Sequence, residues 1–203
     1  MQRRALLLSA CACAWGLGGA AGSVWAQAPA VPATPANSGA TSPGHTNAPA
    51  ELAAEWPGSK LQGQGRLTFM TMRVYEARLW SGATPIGTDW GAGPLALEMI
   101  YARSLGGARI AERSLAEMQR QGEIDSARSG RWLSAMKQIF PDVKEGDRIT
   151  GVNLPGVGAR FYVNGKLVGD VRDTDFARLF FGIWLSPKTS EPGLREALLG
   201  KPS

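Results

Sequence analysis

Leu95, Leu97, Met99, Tyr101 and Arg103 recur at a spacing of two. This alternation predicts a strand over 95–103 with one strongly apolar face, and such a face has to be covered by another layer. Directly after it the period changes. Ala108, Ala111, Leu115 and Met118 fall on one helical stripe, with arginines and glutamates on the opposite side, until Gly122 ends the helix. A second helix carries Trp132, Met136, Ile139 and Phe140 and stops at Pro141.

The flanking segments repeat the scheme. Leu67 and Phe69, then Val74, Tyr75, Leu79 and Trp80, predict strands near 61–70 and 72–81. The glycines and proline between Ser81 and Gly93 mark a loop. Past the Lys144-Glu145-Gly146-Asp147 turn, strands return at about 147–154 and 158–163. Gly156-Val157-Gly158 joins them as a turn; no helix follows it, so it is not a phosphate loop. Asn164-Gly165, between Phe161-Tyr162-Val163 and Leu167-Val168, is the strongest hairpin signal in the chain. Asp173 suits a helix N-cap. Phe176, Leu179, Phe180, Ile183 and Trp184 form the apolar stripe of the next helix, which Pro187 ends, and a short helix spans about 192–199. Three strands, two helices, three strands and two helices predict an α+β domain, a large antiparallel sheet with helices packed on one face.

The first 26 residues read as a signal peptide. Arg3 and Arg4 precede an apolar run from Ala5 to Val24, and Val24-Trp25-Ala26 places small residues at the cleavage site. Localisation after cleavage is expected to be periplasmic or secreted; Leu8-Ser9-Ala10-Cys11 resembles a lipobox, and a lipoprotein at Cys11 is the lesser alternative. Residues 27–54 are rich in Ala, Pro, Thr and Ser and are expected to be a disordered linker. The domain is then expected over 55–203, enough for one hydrophobic core.

Elimination narrows the chemistry. The chain has one histidine, His45, in the linker, and two cysteines, Cys11 and Cys13, in the leader. Zinc sites of His and Cys and Ser-His-Asp or Cys-His units are therefore excluded, and no metal or cofactor is expected. Asp173-Thr174-Asp175 suggests a cation site, but helix capping explains it more simply. The formal net charge of +5 is spread among acidic residues rather than concentrated, so no nucleic acid is expected as partner. The remaining polar tools are Arg, Tyr, Thr and Asn. Arg103 shares its strand face with Tyr101, and Tyr75 lies on the face that carries Ala77 and Leu79. Arg66 follows Gly63-Gln64-Gly65, where the backbone can come close to a neighbour or ligand. A guanidinium can meet a carboxylate with two parallel hydrogen bonds, and a tyrosine hydroxyl can add a donor. Arg66, Tyr75, Tyr101 and Arg103 are the candidate ligand-binding residues; no catalytic residue is assigned. The competing structural reading has Arg103 in an ordinary ion pair and the tyrosines in the core.

Several segments together resemble bacterial chalcone isomerase-like proteins over about 140 residues, 61–200. They are Gly63-Gln64-Gly65-Arg66, Val74-Tyr75-Glu76-Ala77-Arg78-Leu79-Trp80, Tyr101-Ala102-Arg103, Phe140-Pro141-Asp142-Val143, Gly146-Asp147-Arg148, Phe161-Tyr162-Val163-Asn164-Gly165 and Ile183-Trp184-Leu185. The resemblance implies an open-faced sandwich, a curved antiparallel sheet under helices with a ligand cleft between. In catalytic members an arginine at the start of the sheet holds a phenolate during intramolecular cyclisation, helped by Thr, Tyr and Asn. Arg66 is the best match, with the Gly-x-Gly-x-Arg spacing one residue shorter. The first long helix, from Ala108 to Glu117, has neither Tyr nor Asn. Non-catalytic relatives bind fatty acids through an arginine and a tyrosine.

The function expected is therefore an exported domain that binds a small amphipathic carboxylate or fatty-acid-like ligand in an Arg/Tyr-lined cleft. The alternatives are an isomerase of the intramolecular lyase type and a structural factor that works through its surface. A monomer is expected, with weak membrane association at most.

Overall fold

The computed structural model describes residues 47–200. The expected leader with Cys11, the linker up to residue 46 and His45 lie outside them. Element order is α1 (Ala50–Glu55), β1 (Lys60–Phe69), β2 (Met72–Ser81), β3 (Leu95–Tyr101), α2 (Gly107–Gln119), α3 (Ser126–Ile139), β4 (Arg148–Leu154), β5 (Gly158–Val163), β6 (Lys166–Val171), α4 (Thr174–Leu185) and α5 (Pro192–Leu198). The six strands form one sheet in the order β1-β2-β3-β4-β5-β6, antiparallel throughout. The α+β architecture is as the periodicity predicts. The α2–α3 excursion leaves and re-enters the sheet between neighbouring strands β3 and β4.

Alternation assigns the two faces. Ala77, Leu79, Leu97, Met99, Tyr101, Ile149 and Phe161 join α2, α3, α4 and α5 in the main core. Phe176, Phe180 and Trp184 of α4 supply its aromatic centre; Phe180 meets Phe161 edge-on at a centroid distance of 5.1 Å. Gly151 lies beneath it, and a Cβ there would come within 3.4 Å of the Phe181 ring. Each buried phenylalanine of this kind contributes about 2–3 kcal/mol.

The other face is not bare. Trp80, Ala96, Val152 and Tyr162 pack around Leu52 of α1 in a second, smaller core. The helical layer lies on one face as expected, formed by α2, α3, α4 and α5; the short α1 packs on the other. This helix begins before residue 55, inside the stretch 27–54 expected to be linker. Glu51 and Glu55, one turn apart, hold α1 to the sheet through Arg148 at 2.8 Å and Arg160 at 2.6 Å.

Local signals act where they stand. Asn164 and Gly165 adopt positive φ of 49° and 83° and close the β5–β6 hairpin. The Asp173 Oδ1 accepts from the amides of Asp175 and Phe176, both at 3.0 Å, and so caps α4; its Oδ2 accepts from the Trp132 indole at 2.9 Å. Strand β3 ends at Tyr101, two residues short of expectation: the Ala102 amide still reaches the Val74 carbonyl, after which the chain bends and Arg103 is exposed.

Candidate functional site

A cavity of about 420 Å³ lies between helices α2 and α4 and the end of the sheet formed by the β1–β2 hairpin tip and the C-terminal end of β3. Its walls include Leu67, Met99, Leu105, Ile110, Phe140, Ile149, Phe180 and Ile183, and are mainly apolar. The loop before α2 is tied down so that α2 roofs this space. Leu105 and Val143 exchange backbone hydrogen bonds of 2.9 Å, and the Asp142 carboxylate accepts from the Gly107 amide at 2.8 Å. A Cβ at Gly107 would lie 2.0 Å from the Phe140 carbonyl oxygen, so only glycine lets the helix start here.

Two tyrosines face this cavity. Tyr75 on β2 and Tyr101 on β3 are partners in register, with ring centroids 6.0 Å apart at an interplanar angle of 72°. The Trp184 indole N–H of α4 donates to the Tyr75 hydroxyl at 2.9 Å. Tyr101 is 3% exposed and, among the described residues, its hydroxyl has no hydrogen-bond partner. Burial pushes the Tyr75 hydroxyl up to about 12, with the Trp184 hydrogen bond opposing it. Burial, aided by the neighbouring Tyr75, also drives Tyr101 far above the ordinary tyrosine range. Both are neutral donors at any ordinary pH.

Charge gathers at one side. Arg103 lines the cavity, with Nη1 3.9 Å from the Met72 sulfur. Helix α2 presents Arg109, Arg113, Ser114 and Glu117 to the same space. The Glu117 carboxylate is buried, 8% exposed, and held by Arg113 at 2.5 Å and Arg120 at 3.3 Å. Glu191 also contributes to the lining.

The structure brings Tyr75, Tyr101 and Arg103 to one cavity and leaves Arg66 out. Arg66 stands opposite Glu76 in register, on the outer face of the sheet. Its side chain is 64% exposed and pairs with Glu76 at 3.6 Å. The neighbouring glycines serve packing: a Cβ at Gly63 would lie 2.3 Å from the Ala197 carbonyl oxygen, and one at Gly65 would lie 2.6 Å from a Leu194 methyl. The backbone approach they permit is to α5, not to a ligand. Sequence reasoning missed Trp184, Arg109, Arg113, Ser114 and Glu117 as site residues. The spacing of Ile110, Ser114 and Glu117 along one helix side was the available signal.

Residues 48–200 match a family model described as chalcone isomerase-like. The chain belongs to the chalcone isomerase-like family. An Arabidopsis thaliana fatty-acid binding protein of known crystal structure has a similar fold, with a TM-score of 0.57 at 12% identity, over 71% of this chain and 88% of that one. An uncharacterized protein of Haemophilus influenzae is 30% identical over 108 residues, 53% of this chain and 52% of that protein; the chain spans about half the length of this curated relative. The six-stranded antiparallel sheet, its helical roof and the cleft between them agree with membership of the chalcone isomerase-like family.

Proposed function

We propose that this domain binds a small amphipathic carboxylate, fatty-acid-like in character, with its tail among the apolar walls and its headgroup at the tyrosine and arginine side. The observation that carries the proposal is the Tyr101 hydroxyl: a buried, neutral donor with no partner among the described residues, facing an apolar cavity whose edge holds Arg103, Arg109 and Arg113. Burying a carboxylate is costly unless donors meet it, and hydrogen bonds to a charged group are worth about 1.5–3 kcal/mol each. The cavity size lies within the common range for small-molecule sites, roughly 300–1,000 Å³. The fold likeness to a fatty-acid binding protein supports the same reading. The arginine matched to anion holding in the intramolecular lyase alternative, Arg66, does not line the cavity and pairs with Glu76 instead, so no observation favours that alternative.

The test is a titration of the purified full chain with dodecanoic acid and with dodecanol, alongside native mass spectrometry for co-purified acids. The acid is expected to bind more tightly than the alcohol, and Tyr101→Phe and Arg103→Ala to weaken the acid selectively. Failure of dodecanoic acid to bind the wild type, or an affinity for dodecanol equal to that for the acid, refutes the proposal. We also propose that the domain acts after export, on the strength of the Arg3-Arg4 segment and its apolar run; recovery of chain processed after Ala26 from the periplasmic fraction is the check.

A further inference from the structure

The β1–β2 hairpin ends in Phe69-Met70-Thr71-Met72, and its tip is apolar and exposed: Phe69 by 62%, Met70 by 78% and Met72 by 50%. Met70 and Thr71 hold positive φ of 48° and 69°. This is the left-handed pair that a two-residue hairpin turn needs, and Asn-Gly suits it best. The β5–β6 hairpin uses that very pair, Asn164-Gly165, at similar angles. At the β1–β2 tip the same backbone carries a bulky methionine and a β-branched threonine, for which left-handed φ is unfavourable. The side chains there are explained by what they present to the outside, since neither turn geometry nor core packing asks for them.

The tip is continuous with the cavity. Phe69 contributes to the cavity wall, and the Arg103 guanidinium, in the same wall, rests near the Met72 sulfur at 3.9 Å. Arg73 follows directly, and Arg109 and Arg113 stand exposed along the same cavity. The acidic groups in the cavity wall are Glu117, already tied to Arg113 and Arg120, and Glu191; at the same end of the sheet Asp142 is held by the Gly107 amide, and Asp147 by the Lys144 amide and Asn164, with Glu145 exposed beside them. An apolar point flanked by cations matches the interface of an anionic bilayer, where apolar groups enter the headgroup boundary and arginines meet lipid phosphates.

We infer that the β1–β2 tip docks the domain on an anionic lipid surface, with Phe69, Met70 and Met72 inserted and Arg73, Arg103 and Arg109 on the headgroups, so that the cavity faces the lipid. The docking rests on the tip and its charges; the carboxylate-binding reading gives it a purpose but does not carry it.

Hydrogen exchange of the full chain, read by mass spectrometry, provides a local test that is separate from any contact made by residues 5–24. With vesicles containing phosphatidylglycerol, peptides spanning 67–74 are expected to gain protection; with phosphatidylcholine alone they are not. Met70→Asp keeps a residue that tolerates the left-handed turn and is expected to weaken that protection about ten-fold in the lipid concentration required. Unchanged exchange over 67–74 on anionic vesicles, or equal protection in Met70→Asp, overturns the inference. Protection of that segment that grows with protein concentration without lipid also overturns it, assigning the tip to a second copy of the chain. Dodecanoate binding measured without vesicles is expected to be the same in Met70→Asp and wild type. Its absence from both refutes the ligand proposal and leaves the docking result standing.

Discussion

The Trp184 indole N–H and the Tyr75 hydroxyl are joined by a 2.9 Å hydrogen bond that ties α4 to β2 across the cavity. Tyr101, 6.0 Å away ring to ring, has no such tie among the described residues. The two tyrosines therefore differ in kind: one hydroxyl is partly used by the fold, and the other has no partner among the described residues and, in the function proposed above, meets the ligand. Tyr75→Phe is expected to strand the indole donor and cost about 1 kcal/mol of stability. Tyr101→Phe is expected to leave stability within about 0.5 kcal/mol of wild type and to weaken carboxylate binding. Urea unfolding and ligand titration of the two variants check this; equal stability losses contradict the division of roles.

The tyrosines also set an alkaline limit. The chain has three, and all are raised: Tyr75 to about 12 by burial, Tyr101 by burial and Tyr75, and Tyr162 to about 12 by burial and its hydrogen bond to Glu55. In the unfolded chain each titrates near the ordinary value of 10.0. A raised folded value means that the fold prefers the protonated group. Its stability is thus full below that ordinary value and is lost as pH rises toward 12, by about 1.4 kcal/mol per pH unit for each tyrosine that remains protonated in the fold. Near-ultraviolet titration is expected to show little phenolate at pH 10 in the native protein and full phenolate after denaturant is added. Native ionisation at the ordinary value contradicts the burial of these hydroxyls.

Glu117 is the resident anion of the site. It sits buried against Arg113 at 2.5 Å, so an incoming carboxylate competes with it for that guanidinium and is repelled by its charge. Glu117→Gln is expected to tighten dodecanoate binding by several-fold, and Arg113→Ala to weaken it by about ten-fold, the loss of roughly one charge-assisted hydrogen bond. Binding that is weaker in Glu117→Gln shows instead that the ion pair is needed to position Arg113.

Much of this was legible in the sequence, and the misses have physical causes. The period-two run through Leu95, Leu97, Met99 and Tyr101 and the Asn164-Gly165 turn are local signals, and the fold obeys them. Tyr75 and Tyr101 were legible as site residues because alternation puts them on the apolar face. The same alternation could have excluded Arg66: it faces Glu76, and Glu76 is on the side of β2 opposite to Tyr75 and Ala77. Glu117 was hidden because a glutamate on an amphipathic helix ordinarily reads as solvated. Helix α1 was hidden because its partners, Arg148 and Arg160, lie about a hundred residues along the chain; the local signal, a proline-free AELAAE with the first two acidic residues of the chain, spans only six residues, too short to stand as a helix without that packing.

That hidden helix makes a truncation informative. A chain beginning at residue 56 removes Leu52 from the outer core and strips the carboxylates of Glu51 and Glu55 from Arg148 and Arg160. Burial of one leucine alone is worth about 2 kcal/mol, so thermal unfolding is expected to fall by several degrees relative to a chain beginning at residue 47. Equal melting temperatures make α1 dispensable.

Under α1 two carboxylates share one guanidinium. Arg148 Nη2 donates to both oxygens of Glu51 at 2.8 Å, and its Nη1 lies 3.5 Å from Glu98, which also accepts from the Trp80 indole at 3.1 Å. Burial raises the Glu98 carboxyl above its ordinary value in spite of Arg148 and Trp80. The fold therefore prefers Glu98 protonated: its contribution is fully present below the ordinary value of 4.5 and declines as pH rises through the raised one. Glu98→Gln keeps an acceptor for Trp80 and removes the buried charge. It is expected to be more stable than wild type at neutral pH, with the difference closing below about pH 4.5. Arg148→Ala is expected to cost about 3–5 kcal/mol at neutral pH, because it leaves both carboxylates buried and unpaired, and less in acid. Urea unfolding of the three proteins across this range decides the matter: a Glu98→Gln variant weaker than wild type at neutral pH means that the attraction to Arg148 outweighs the burial of the charge.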